Sequence, residues 1–393
     1  MAIDYSPEVR RALEQKFADA QLHRPMRVGR YDEGTELFYE VSPVSPGSTC
    51  EKVGLRLVVE KFVGGGFAGQ VYKVRLQDVG DQGFTNLEVG KVYAIKILIP
   101  PSNFSRIFRD ILYWIGFQGP FGLGVNPVAA RSSALWQKFI RRAAGINLGS
   151  ESAVVDVHGT FVDHNLGSCG EISEWIDGRT WQLEVDDRMD LLKKWSRGKV
   201  VDQAKLSSDE FRAKKQFMAD FVKLLHDVGA HEFARQYEWW TCKSQPNCLK
   251  RSDADDDPAS GLVAVDFKAG LALLPFLPMS PGDFKLIAAG IGRGSLVQFD
   301  RGDICKLEAF VQAHSDAFSD MQGMLSELKD SETAYRNSVP DITHNHVRLL
   351  YSGRLWSTIR KSSITGWQVK NLINEKTAES LKGCWGKSSV FLL

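Results

Sequence analysis

Between Leu55 and Leu98 three short runs, LRLVVEKFV, GQVYKVRLQDV and KVYAIKIL, crowd Val, Ile and Tyr between glycine clusters. Branched and aromatic side chains suit a pleated, half-buried surface, and glycines mark where the chain reverses. This stretch predicts an antiparallel sheet of at least three strands. After Pro100-Pro101 the apolar spacing changes to three and four, in FSRIFRDILYWIGF and SSALWQKFIRRAAG, which predicts helices. Strands return at AVVDVHGTFVD and GEISEWI, and a helical region runs from Glu184 to about Trp240, clearest in DEFRAKKQFMADFVKLLHDVG. Two short strands, NCLKR and GLVAVDF, flank the polar turn SDADDDPAS; mostly helices follow, one opening at Ser280-Pro281-Gly282-Asp283. The period of the apolar pattern thus switches from two to about 3.6, so the fold class is α+β, with a β-rich part ahead of a mainly α part.

At 393 residues the chain is long enough to bury a sizeable core without staples, and 43% apolar with 25% charged residues fits a globular protein. A net charge of +1 gives no global field towards nucleic acid, and no nucleic-acid partner is expected. The cysteines at 50, 169, 242, 248, 305 and 384 form no CxxC pair, so neither a zinc knuckle nor a dithiol redox site is indicated, and they read as free thiols in a reducing compartment. MAIDYSPEVRRALEQKF lacks the apolar core of a signal peptide; Ser6-Pro7-Glu8 instead reads as a helix start. No uninterrupted apolar run reaches the length of about 18 residues that spans a bilayer. A cytoplasmic location is expected.

Four elements carry chemistry. Gly64-Gly65-Gly66-Phe67-Ala68-Gly69-Gln70-Val71 fits GxGxxGxV between two predicted strands, where glycines let backbone N–H groups approach phosphate oxygens. The alternative is a glycine-rich hairpin turn with no ligand. A Rossmann reading needs a helix after the glycines, and GQVYKVRL is β-like. Tyr93-Ala94-Ile95-Lys96 ends the next strong strand on a lysine. Glu171-Ile172-Ser173-Glu174-Trp175-Ile176-Asp177-Gly178 is a strand followed by a turn. Finally Lys243-Ser244-Gln245-Pro246-Asn247 precedes the hairpin that ends at Val265-Asp266-Phe267.

In this order the four elements resemble the protein-kinase-like superfamily over about residues 55–275. The resemblance implies a two-lobed protein-kinase-like fold, a β-rich N-lobe and a mainly helical C-lobe, with ATP and Mg2+ between them. Gly64, Gly66, Gly69 and Val71 would cover the nucleotide, Lys96 would orient its phosphates, and the backbone around Glu174 and Trp175 would meet the adenine edge. Asn247 and Asp266 would hold Mg2+, Lys243 would belong to the catalytic loop, and Glu238 would position or deprotonate the acceptor. Implied boundaries are an N-terminal helix and linker over 1–50, an N-lobe with a helical insertion over 51–178, a C-lobe over 179–347 and a tail over 348–393.

The pattern also departs from the family. Cys242 stands where the catalytic-loop aspartate lies, five residues before Asn247, and Lys268 replaces the glycine of Asp-Phe-Gly. No APE motif is found. The acid to pair with Lys96 is open between Asp110 and Glu151. Three readings follow: an atypical kinase acting on a protein, lipid or small-molecule acceptor, a nucleotide-binding pseudokinase that scaffolds a partner protein, or a metal-independent binding protein of another α+β fold. In the tail, Trp356, Trp367 and Trp385 interleave with Arg354, Arg360, Lys361, Lys370 and Lys382. That pattern reads either as a segment lying on an anionic membrane surface, making the protein membrane-associated, or as a helix packed on the protein with a solvated basic face.

Overall fold

The computed structural model describes residues 6–19, 28–47, 52–65, 69–80, 86–104, 106–107, 127–180, 209–234, 248–266, 302–342, 353–384 and 386. After helix α1 (Pro7–Asp19) come strands β1 (Glu36–Pro43), β2 (Val53–Gly65), β3 (Gln70–Val79) and β4 (Val92–Ile97). Helix α2 (Pro127–Asn147) follows, then β5 (Val157–Asp163) and β6 (Ser168–Glu174). The six strands close in the order β1-β2-β3-β4-β6-β5.

This closed barrel corrects the two-lobed kinase-like fold expected from the sequence, in which the N-terminal sheet is open. The difference lies in β1, within the segment assigned only a helix and a linker. ELFYEVSP alternates, placing Leu37, Tyr39 and Val41 in the interior. Its one edge pairs with β2 (Leu37 opposite Leu57) and its other with β5 (Val41 opposite Phe161), so the sheet has no free edge there. The same period-two pattern fills the barrel with Leu55, Leu57, Val74, Leu76, Ile95, Ile97 and Ile172.

One carboxylate is buried among them. Asp163 is fully buried and accepts hydrogen bonds from Tyr31 Oη (2.7 Å), Tyr39 Oη (2.8 Å) and the Leu166 amide (2.8 Å). Burial and the neighbouring Asp163 push both tyrosines above the usual phenol range, so their hydroxyls remain donors. This network fastens residues 28–31 across the barrel, helped by Gln70 Nε2 on the Gly29 carbonyl (2.7 Å).

A small second sheet joins β7 (Gly178–Thr180), just beyond β6 in the chain, to β8 (Cys248–Arg251) and β9 (Leu262–Ala264). Helices α3 (Asp209–Asp227), α4 (His231–Ala234), α5 (Ile304–Ala313) and α6 (Gln322–Ile342) complete the main body. Their core gathers Trp136, Phe139, Phe221, Phe233 and Phe318. Helix α2 joins the two cores: Val128, Ala129 and Ala130 belong to the barrel cluster, and Ala134 to Ala144 to the helical one.

In the tail, α7 (Gly353–Val369) and α8 (Glu375–Gly383) pack together through Ile364, Ala378 and Leu381. Arg360 turns inward and donates to the Leu381 (2.9 Å) and Lys382 (3.2 Å) carbonyls, capping α8. One of the tail's basic residues therefore has a structural use. No helix among the described residues is long and apolar enough to cross a membrane.

Candidate functional site

Strands β3, β4 and β6 lie side by side, and their registers set two rows of side chains on the outer face of the barrel. Lys73, Ala94 and Ser173 form one row; Val71, Lys96 and Glu171 form the other. Residues directly opposite across antiparallel strands point to the same face. All six are half-buried, unlike the fully buried residues that alternate with them. The face is therefore neither core nor open surface.

Asp266 approaches this face from the second sheet. Strand β9 is pinned on both sides: Ala264 pairs with Cys248, and its carbonyl accepts from the Val155 amide (3.0 Å) just before β5. Two residues later Asp266 adopts a left-handed backbone, φ 63°, an uncommon conformation for a residue with a side chain. Its Oδ1 accepts from Lys96 Nζ in an ion pair between side chains 12% and 35% exposed. Residues that the sequence places 170 positions apart thus meet in one site.

The first row leaves a shallow platform. Ala94 sits between Lys73 and Ser173, and Lys73 Nζ lies 5.3 Å from the centroid of the Trp175 ring. Among the described residues the backbone amides of Trp175 and Ile176 donate to no partner. The Glu174 amide, in contrast, donates to the Asp156 carbonyl (2.9 Å), and its carboxylate binds Arg251 (2.7 Å). Of the two residues expected at an adenine edge, Trp175 has no amide partner among the described residues and Glu174 has a structural role, tying β6 to β8.

The glycines divide in the same way. A Cβ on Gly69 would stand 2.5 Å from the Ile97 carbonyl oxygen, so close packing of β3 on β4 already requires glycine there. Gly64 faces open space where the β2–β3 hairpin runs past the barrel core. Gly66, Glu238, Lys243 and Asn247 lie outside the described residues, as does Asp110. Glu151 is excluded as the acid of Lys96: its carboxylate binds Arg142 (2.8 Å).

Behind the platform is a buried charge cluster that the sequence did not signal. Lys138 of α2 pairs with Asp156, with Arg141 and His158 close by. Burial lowers the Lys138 pKa despite Asp156. Burial would raise the Asp156 carboxyl, yet Lys138, His158 and Arg141 together hold it below its usual value. His158 is pushed down to about 4, by burial first, and is neutral at pH 7. Because the Asp156 carbonyl also receives the Glu174 amide, this cluster fixes the strand end from which Trp175 projects.

Compared with known protein families and curated proteins, the chain matches no family model and no curated sequence.

Proposed function

We propose that this chain binds ATP with Mg2+ on the outer face of its barrel and acts as an atypical phosphotransferase, using a barrel scaffold. The observation that carries the reading is the meeting of Lys96 and Asp266 beside the half-buried row of Lys73, Ala94 and Ser173. An ammonium suits phosphate oxygens, and a carboxylate suits a hard divalent cation. Ala94 and the Trp175 ring would flank a planar base, and the free amides at 175–176 would address its polar edge.

ATP with Mg2+ supplies an activated phosphoryl group whose transfer depends mainly on alignment and charge neutralisation. The chain's own part is to present Lys96 to the phosphates, keep Asp266 for the metal, and exclude water from the half-buried face. The acceptor, whether protein, lipid or small molecule, is left open. A second reading, a nucleotide-binding scaffold, is favoured by Cys242 at the position where a catalytic aspartate is expected.

Turnover of labelled ATP and ATP-dependent thermal stabilisation, in wild type, Lys96→Ala and Asp266→Ala, test both. Ligand at 100 times its dissociation constant should add about 2.7 kcal/mol to the wild type. Stabilisation with turnover lost in both variants is expected for the enzyme. Stabilisation without mutation-sensitive turnover transfers the case to the scaffold. No stabilisation by ATP with Mg2+ ends the nucleotide reading.

A further inference from the structure

We infer that the Trp175 ring is gated by the barrel itself: the Lys73 ammonium competes with a planar base for the ring face, and Glu60 receives that ammonium when the base stacks. This deepens the nucleotide reading and rests on it.

Three observations lead there. Lys73 Nζ stands over the Trp175 ring, 5.3 Å from its centroid, in the geometry of a cation–π contact. The same Nζ lies 3.4 Å from Glu60 Oε2, so one ammonium has two partners. Glu60 in turn owes its reach to a bulge. Between the pairs Val59–Val74 and Lys61–Lys73, strand β2 advances by two residues and β3 by one, which leaves Glu60 as the extra residue. A bulge re-aims a side chain out of the regular alternation. Here the bulged carboxylate meets both Lys73 and Arg75, two residues apart on β3.

The two contacts of Lys73 are similar and weak. Its side chain is 31% exposed and that of Glu60 23%, and neither a partly exposed ion pair nor a single cation over a ring holds strongly. The ammonium can therefore leave the ring for the carboxylate at little cost. Stacking of a nucleobase on an aromatic ring outweighs one such contact, so the base wins the face. Glu60 keeps a cation in either case, because Arg75 pairs with it and is itself held at the Gly90 carbonyl (2.6 Å). A ring that stacks less well than a nucleobase leaves the ammonium in place. Lys73 thereby sets a threshold for what the site accepts.

Calorimetry with adenosine, which carries no phosphate, isolates the ring face; ATP with Mg2+ is titrated in parallel. Lys73→Met keeps the stem, removes the ammonium and should tighten adenosine about threefold. Glu60→Gln removes the receiving carboxylate and should weaken adenosine by about the same factor. In a Lys73→Met background Glu60→Gln should change nothing further. Trp175→Leu should weaken adenosine and abolish the gain from Lys73→Met. Opposite signs for the two partners of one ion pair separate a gate from damage to the barrel, which weakens binding in both. Weaker adenosine binding in both variants, or no change in either, overturns the gate and leaves the nucleotide reading standing where wild type binds ATP with Mg2+. A wild type that binds neither ATP with Mg2+ nor adenosine removes the nucleotide reading, and the gate with it. If Glu60→Gln does not fold, Glu60→Asp, which shortens the reach of the carboxylate, takes its place with the same sign expected.

Discussion

His158 shows how a single buried ring makes stability depend on pH. The imidazole is 8% exposed, meets the Tyr93 ring edge-on at 5.5 Å, and faces Asp156, Lys138 and Arg141. Its pKa falls from 6.5 to about 4 on folding. Between those values the unfolded chain binds the proton and the folded chain does not, so stability decreases as pH falls from 6.5 to about 4. The lost contribution is about 3 kcal/mol once pH is below both values. Asp156, with its lowered pKa, adds loss in the same direction at more acid pH. Urea unfolding of wild type and His158→Gln at pH 7 and pH 4 should show a smaller acid loss in the variant. Equal losses in the two proteins would mean that His158 is not the group that titrates. At the same scale, Asp266→Ala should destabilise the apo protein by only about 1 kcal/mol, because the pair is partly exposed and water can take over part of the solvation of Lys96. Its effect belongs to ligand binding instead.

At the level of elements, the β2–β3 hairpin separates what glycines do for packing from what they leave open. Gly69→Ala places a methyl against the Ile97 carbonyl and should cost about 2 kcal/mol. Gly64→Ala meets nothing within 4 Å and should change stability by less than about 0.5 kcal/mol. Midpoints of urea unfolding for the two variants check both values; comparable destabilisation would contradict this division of roles. The hairpin was legible because GQVYKVRLQDV and LRLVVEKFV carry strong β composition on either side of the glycines. So were β4, β5, β6, α2 and α3, each with its own periodicity. Strand β1 was not assigned, although Leu37, Tyr39 and Val41 alternate. Its meaning depends on partners at Leu57 and Phe161, and pairing over that separation leaves no local mark. In the site, Lys96 and Asp266 stand out in the sequence by their order after the glycine-rich hairpin, not by either residue alone. That Glu171 stands opposite Lys96 follows only when GEISEWI is laid antiparallel to KVYAIKIL in register, a pairing that the linear sequence does not mark.

For the molecule as a whole, the question is what holds the barrel on the helical body. Apolar continuity through α2 is one answer, since its two ends belong to different cores. Arg131 is the polar answer. Its guanidinium forks onto Glu327 of α6 (Nε–Oε1 2.6 Å, Nη2–Oε2 3.0 Å) while Nη1 donates to the Ser42 (3.1 Å) and Pro43 (2.6 Å) carbonyls at the end of β1. One side chain on α2 thereby fixes both the strand that closes the barrel and helix α6 of the second core. Arg131 is 14% exposed and Glu327 29%, so breaking the fork leaves a largely shielded carboxylate and two carbonyls without their cation. Arg131→Met should cost about 2–3 kcal/mol, below the range for a fully buried pair because Glu327 keeps some solvent. Arg131→Lys should recover less than half, since a single ammonium cannot serve a planar fork and two carbonyls together. Adding Glu327→Met to Arg131→Met should give back part of the loss, because the stranded carboxylate is then removed. Unfolding midpoints of the wild type, the two single methionine variants, the double variant and Arg131→Lys decide the point. Simple additivity of the two methionine substitutions would mean that β1 and α6 are held independently and that the barrel is fixed to the body by apolar packing alone.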